Sequence, residues 1–453
     1  MTQQELNQQL FSALLASEIQ LDTINGLLQS GADVNATDDA GYTPLMYACS
    51  KKAPAVVELL LNNGANARAV TPQGYTAIYM AVAYQAPAKT VQMVLHHDNA
   101  AAVFGKYATF CLLTAVVNEQ ENLVRLLLET ESIYEASLQV TDEDDLNGYG
   151  SEFFADAYFD EELRLVDKGL LLAAKECESR EMVALMLEYG ANANAFTEDG
   201  CTIFASVVAD LLAPSDTLGD KEPEPESLAL VELLLEEGSN PFLKKVSPSA
   251  WEHAVYENNA QLVELFLAED YDMKLLSSCY GYAVFPWAVR HINRPELLQL
   301  FLARGAEVNT PGADGKTPLL IAVERAGVSG LYKGTGFRKL REANLALVRC
   351  LLAAGAEANL PSGGVFPIVS PERALPGTGL GTLQSFAAAT AQAVSRVTPL
   401  SVALYYADAD CAELLLSAGA NPHTHACGFT PMQLASALAD STCRNLLLTH
   451  TAP

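Results

Sequence analysis

A chain of 453 residues, half of them hydrophobic and 18% charged, is long for one compact domain and apolar enough to bury a large core. Its 27 Lys and Arg against 55 Asp and Glu leave a net charge of −28, which disfavours direct binding to nucleic acid or an anionic membrane and suits a basic protein partner. No run approaches the roughly 18 apolar residues of a membrane span, the start MTQQELNQQLFSALLA lacks a basic signal region, and the nine cysteines never form C-x-x-C, so a reduced, cytoplasmic setting is expected.

In chain order, Leu6, Leu10, Leu14 and Leu15 give the first apolar stripe, backed by Gln3, Gln4, Asn7 and Gln8. That pattern predicts an amphipathic helix capping a repeat array, and the polar outer side of PMQLASALADSTCRNLLLTH suits the opposite cap, so both ends read as complete. Between them one phrase recurs: LLQSGADVNA at 27–36, LLNNGANARA at 60–69, MLEYGANANA at 186–195, LLEEGSNPF at 234–242, FLARGAEVNT at 301–310, LLAAGAEANL at 351–360 and LLSAGANPH at 415–423. Gly31 to Gly64 and Gly41 to Gly74 are each 33 residues, a period that marks a solenoid of small helical units.

The unit can be derived from its residues. Thr43 is placed to cap a helix beginning at Pro44, whose missing amide costs nothing at a first helical position. Leu45, Ala48 and the small Cys49 give that helix a face a second helix can approach closely, and Val56, Val57, Leu59, Leu60 and Leu61 supply the second helix. Gly64 ends it in the left-handed conformation. A pair this small cannot bury its own faces, so its stability must come from stacking on neighbours.

With G-x-T-P-L at Gly41–Leu45 and Gly315–Leu319, T-P-L at 398–400, T-P-M at 430–432 and the seven Gly endings in place, the sequence resembles the ankyrin-repeat family. The resemblance implies an all-α helix–turn–helix solenoid with β-hairpin-like fingers and about nine or ten helix pairs. Weaker units at 74–82, 111–129, 169–187 and 251–269 fill the gaps. The His that the family usually carries after T-P-L is replaced by Met46, Leu320, Ser401 or Gln433, so its turn-bracing hydrogen bonds must be replaced or lost.

The resulting division is N-terminal repeats over 1–129, an acidic-aromatic insertion over 130–166, central repeats over 167–359 with insertions at 213–227 and 327–342, a Gly/Pro-rich insertion over 360–396, and repeats with a cap over 397–453. Residues 141–162, TDEDDLNGYGSEFFADAYFDEE, hold nine carboxylates, five aromatics and no cation. Glu152, Asp156 and Asp160 fall on one helical face there, with Phe154 and Tyr158 on another. Such a helix either packs its rings onto the repeats or docks a basic surface. The segment 327–342 reads as a loop in which Lys333, Arg338, Lys339 and Arg341 crowd among Gly330, Gly334 and Gly336. It either carries a phosphate or carboxylate, although no phosphate-loop pattern is present, or is salt-bridged to the acidic protein around it. The G-x-G-x-G of Gly377, Gly379 and Gly381 lacks the strand and ribose-binding acid of a dinucleotide site.

His423, His425 and Cys427 alternate in NPHTHACG and would share one side of an extended finger, a weak metal candidate without an evident fourth ligand. His96 and His97 suit a helix C-terminus, and Cys49, Cys350 and Cys411 suit helix interiors. No nucleophile elbow, H-E-x-x-H or kinase signature occurs, and no catalytic residue or cofactor is assigned. The expectation is therefore a non-enzymatic protein-binding module that holds a partner on a concave face of fingers and first helices, as the resemblance implies. Asp38, Asp39, Tyr42, Gln73, Tyr75 and Glu198 are its contact residues, followed by Glu152, Asp156 and Asp160. A second reading is an acidic inhibitor or immunity-type protein masking a basic enzyme or nucleic-acid-binding surface, and a third is an enzyme with its site in an insertion.

Overall fold

The structure, a computed structural model, describes residues 1–97, 108–130, 163–177, 179–212, 225–267, 283–332, 334–362, 379–390, 396–438 and 441–451. The chain divides into two compact units, Met1–Ala250 and Trp251–Pro453. Among the described residues both are built of helices, with pairing between extended segments limited to four isolated bridges.

The first unit contains α1 (Gln3–Leu15), α2 (Leu21–Gln29), α3 (Pro44–Ser50), α4 (Pro54–Asn62), α5 (Ala77–Ala83), α6 (Ala88–Leu95), α7 (Ala108–Val117), α8 (Glu121–Leu128), α9 (Leu165–Lys175), α10 (Arg180–Glu188), α11 (Ile203–Leu212) and α12 (Pro225–Glu236). Odd-numbered helices pack on one another in one layer and even-numbered ones in a second, so each pair lies against the next. Leu60, Val57, Val91, Val94 and Leu127 are fully buried, as the stacking argument requires. Leu6, Leu10 and Leu14 also go into the core, whereas Leu15 stays 53% exposed and leaves the expected stripe one residue narrower.

The second unit contains α13 (Ala250–Tyr256, its first residue at the division), α14 (Ala260–Phe266), α15 (Val284–His291), α16 (Pro295–Ala303), α17 (Pro318–Gly330), α18 (Thr335–Ala353), α19 (Gly379–Thr390), α20 (Pro399–Tyr405), α21 (Ala409–Ser417), α22 (Pro431–Ser436) and α23 (Thr442–Thr451). Here α15, α17, α20 and α22 form one layer, α14, α16, α18, α21 and α23 the other, and α19 lies against α22. The described helices make eleven pairs, six in the first unit and five in the second, with α19 in addition. That is one more than the upper end of the nine or ten expected.

Helix starts follow the Thr–Pro signal. Thr43, Thr317, Thr398 and Thr430 each accept a hydrogen bond from the third helical amide, and Pro occupies the first turn. The reciprocal bond expected from a His is made by its replacements: Thr43 N–H points at Met46 Sδ (3.5 Å), Thr398 N–H donates to Ser401 Oγ (3.1 Å) and Thr430 N–H to Gln433 Oε1 (2.8 Å). Leu320 has no acceptor, so the brace is lost there.

The fingers are short. Each is a turn closed by a bond such as Thr71 N–H to Tyr75 O (3.0 Å) or Thr197 N–H to Cys201 O (2.8 Å), with at most one bridge, Val70 to Thr76 and Phe196 to Thr202. Gly41 shows why the turn needs glycine: its φ is +88°, and a Cβ there would sit 2.5 Å from Pro72 Cδ of the next finger. In four of the seven Gly endings an Asn four residues on, Asn35, Asn194, Asn309 or Asn359, laces one unit to the next. Asn35 donates to Gly64 O (3.0 Å) and accepts from Asn66 N–H (2.7 Å); Asn194 does the same to Gly238 and Asn240, and Asn359 to Gly419 and Asn421.

Segment 327–342 differs from the expected loop. It is helical on both sides of Lys333, which lies outside the described residues: α17 runs on to Gly330 and α18 starts at Thr335. The apolar positions Leu345, Leu347, Val348 and Leu351 extend the helical register beyond what its glycines suggest. Gly377 also lies outside the described residues, and Gly379 opens α19.

Candidate partner-binding surface

The expected contact residues lie on two separate parts of the first unit. On the first two fingers, Asp38 organises the turn: its carboxylate accepts from the amides of Ala40 (3.0 Å) and Tyr42 (2.8 Å) and from the Tyr47 hydroxyl (2.6 Å). Asp38 thus holds the finger and fixes a ring rather than projecting freely. Asp39 and Gln73 are exposed, and Tyr42 and Tyr75, one period apart, stack with centroids 6.0 Å apart.

That pair is the middle of a longer run. Phe11 of α1 meets Tyr47 of α3 at 5.9 Å, Tyr47 meets Tyr42 at 5.7 Å, and Tyr75 meets Tyr79 of α5 at 4.7 Å. Five rings from three helices and two fingers therefore form one surface of half-buried aromatics, and Tyr84, 53% exposed, follows at the end of α5. Burial first, then the bond to Asp38, pushes the Tyr47 phenol up to about 12; burial raises Tyr42 and Tyr79 as well. These hydroxyls remain protonated donors across the physiological range. Phe11, Tyr47 and Tyr79 were missed in the sequence, where only the fingers drew attention. The available signal was the recurrence of Tyr in the first turns of α3 and α5.

Glu198 is exposed on a different finger, the one closed by Phe196 and Thr202, where Asp199 holds the turn through Thr197 and the Cys201 amide. Glu152, Asp156 and Asp160 lie outside the described residues, as does the rest of 141–162. The structure does not bring the trio His423, His425 and Cys427 together as ligands. Cys427 sits in a left-handed turn (φ +51°) with its thiol donating to Arg396 O, and no group of three His, Cys, Asp or Glu able to hold a metal occurs among the described residues. The cation cluster is also engaged: Arg341 bridges Asp408 and Asp410 at 2.7 Å each, and Arg338 faces Glu342 at 3.7 Å. Cys49 and Cys411 are buried and burial raises both thiols, Cys49 to about 12, whereas Cys350 is only half-buried. No helix among the described residues is long and apolar enough to cross a membrane.

Repeated Thr-capped helix pairs, Gly-terminated second helices and Asn laces define a helical repeat protein. Family models agree: ankyrin repeats (3 copies) match residues 12–106, and a single ankyrin repeat matches 396–425. The chain therefore carries ankyrin repeats in both of these stretches. Among solved structures it is similar to the crystal structure of the ankyrin repeat domain of Bcl-3, described as a unique member of the IkappaB protein family, with 22% identity, 57% of this chain and 97% of that chain covered, and a TM-score of 0.40. The comparison with curated proteins found no match.

Proposed function

We propose that the chain is a non-enzymatic interaction module that docks a partner protein on the tyrosine-lined finger face of its first repeats. The five-ring run from Phe11 to Tyr79 carries this reading. Tyrosine offers a large, stiff, amphipathic contact with few rotors to freeze, and it is enriched where interfaces concentrate their energy. Asp38 and the stacked neighbours hold these rings in place, so little ordering cost opposes association. Exposed Asp39, Gln73 and Tyr84 would form the rim, and Glu198 would contact the partner from the later finger.

The second reading, an acidic inhibitor that masks a basic protein, is favoured by the net charge of −28 and by the nine acids of 141–162. Affinity capture from the source cell's lysate separates the two, using the intact chain, a Tyr42→Ala/Tyr75→Ala variant, and a chain whose acids at 142–162 are changed to Asn and Gln. Loss of a captured protein with the tyrosine variant, little affected by salt, supports the finger face. Loss only on neutralising the insert, together with release by salt, supports the inhibitor. A protein captured equally by all three chains overturns both surfaces.

A further inference from the structure

The helices α17 and α18 are 13 and 19 residues long, against seven and nine for α3 and α4. Their extra turns line an open-sided cavity of about 350 Å³, within the size range of small-ligand and side-chain sites. Ile321, Val328 and Leu340 supply aliphatic lining, and Tyr332 and Phe337, stacked at 4.9 Å, are 57% and 43% exposed beside it.

One polar atom in this lining is unsatisfied. Asn344 is 1% exposed, and its amide nitrogen donates to Arg325 O (3.2 Å) and Ser329 Oγ (3.4 Å), but its Oδ1 has no hydrogen-bond partner. The Ser329 hydroxyl is directed at the Arg325 and Ala326 carbonyls and so does not supply the missing donor. A buried acceptor without a donor carries its desolvation penalty in full, and a ligand that brings an N–H or O–H relieves it.

The charges narrow the choice. Arg290 pairs with Asp314 and Glu324 with Lys316, so these lining charges are matched within the protein. Arg325 donates to the Val289 and Ile292 carbonyls instead of a carboxylate, and although burial brings it down to about 10 it stays a cation at neutral pH. A second cation would be repelled there, whereas the negative face of an aromatic ring would be attracted. A carboxylate would face Asn344 Oδ1 with another acceptor, and a phenyl ring would leave it without a donor.

We propose that this cavity seats a Trp or Tyr side chain of a partner protein, its ring against Tyr332, Phe337 and the aliphatic lining and its N–H or O–H donating to Asn344 Oδ1. The site lies wholly within the second unit and uses none of the residues on the finger face of the first. Either surface can therefore fail its test without the other.

The test titrates the full chain with N-acetyl-tryptophanamide, N-acetyl-tyrosinamide and N-acetyl-phenylalaninamide and follows saturation transfer from protein to probe. The tryptophan or tyrosine amide should bind at least about tenfold more tightly than the phenylalanine amide, the factor expected of one satisfied hydrogen bond. Asn344→Leu should abolish that preference, Phe337→Ala should weaken all three probes, and Tyr42→Ala/Tyr75→Ala should change nothing. Circular dichroism checks the fold; if Asn344→Leu unfolds, Leu340→Trp, which fills the cavity from its half-buried rim, should block every probe instead. The proposal is overturned if no amide shows saturation transfer, if the phenylalanine amide binds as well as the other two, or if Phe337→Ala has no effect. Free tryptophan binding more tightly than its blocked amide would overturn the assignment to a side chain and make this a site for the amino acid.

Discussion

Two junctions in the first unit meet the same need with different chemistry. Between the repeats that end at Gly31 and Gly64, the neutral side chain of Asn35 donates to Gly64 O and accepts from the amide two residues on. At Gly190 the same two bonds are divided between two charged residues: Arg164 donates to Gly190 O (3.0 Å), and Asp167 accepts from Asn192 N–H (2.8 Å). The two are joined by a bidentate pair at 2.7 and 2.8 Å, with the Asp167 side chain only 3% exposed. What the stack requires is a donor and an acceptor at fixed positions, and residue identity is secondary. A neutral amide and an ion pair whose carboxylate is buried differ, however, in how badly they fail when half is removed.

That difference orders the predictions. Asp167→Ala strips an acceptor and leaves Arg164 beside a buried gap, so urea unfolding should show a loss of about 3–5 kcal/mol, with Asp167→Asn recovering part of it. Leu60→Ala sets the scale of the layers that both laces tie together: the residue is fully buried in α4, and the substitution should cost about 2–5 kcal/mol. A surface-like effect there would refute the assigned register. Asn35→Ala, at an exposed position, should lose about 0.5–1.5 kcal/mol. If it cost as much as Asp167→Ala, the contrast between neutral and ionic laces would collapse.

Alkaline pH tests the same first repeats without mutation. The Cys49 thiol and the Tyr47 phenol both titrate near 12 in the folded chain, against ordinary values of 9.0 and 10.0. The unfolded chain releases these protons first, so their stabilisation is complete below about pH 9 and should fade as the pH climbs towards 12. Denaturation midpoints between pH 8 and 11 would show it, and a flat profile would contradict the burial assigned to α3. Smallest of all, Arg338→Ala removes an exposed pair to Glu342, and its effect should stay within about 0.5 kcal/mol in the same assay.

Much of the repeat was legible because its signals are local. Thr43 before Pro44 starts a helix, Gly64 stops one, and the interval from Gly31 to Gly64 sets the period; each depends on a few adjacent torsions. The contact surface was half legible. Tyr42 and Tyr75 stand out on their fingers, but Phe11, Tyr47 and Tyr79 join them only because α1, α3 and α5 are stacked in one layer. The glycines around Lys333 suggested a loop, while the helices on either side are held by packing that no window of a few residues contains.

The sequence alone therefore determined the helix pairs, their period and the ankyrin-type class, since caps, turns and apolar periodicity act over a few residues. Only the tertiary structure decided that Arg164 and Asp167 replace an asparagine, that five rings make one face, and that Asn344 keeps an unpaired oxygen beside a cavity. Each of these joins groups from separate elements, and their meeting is set by how one helix layer stacks on the next.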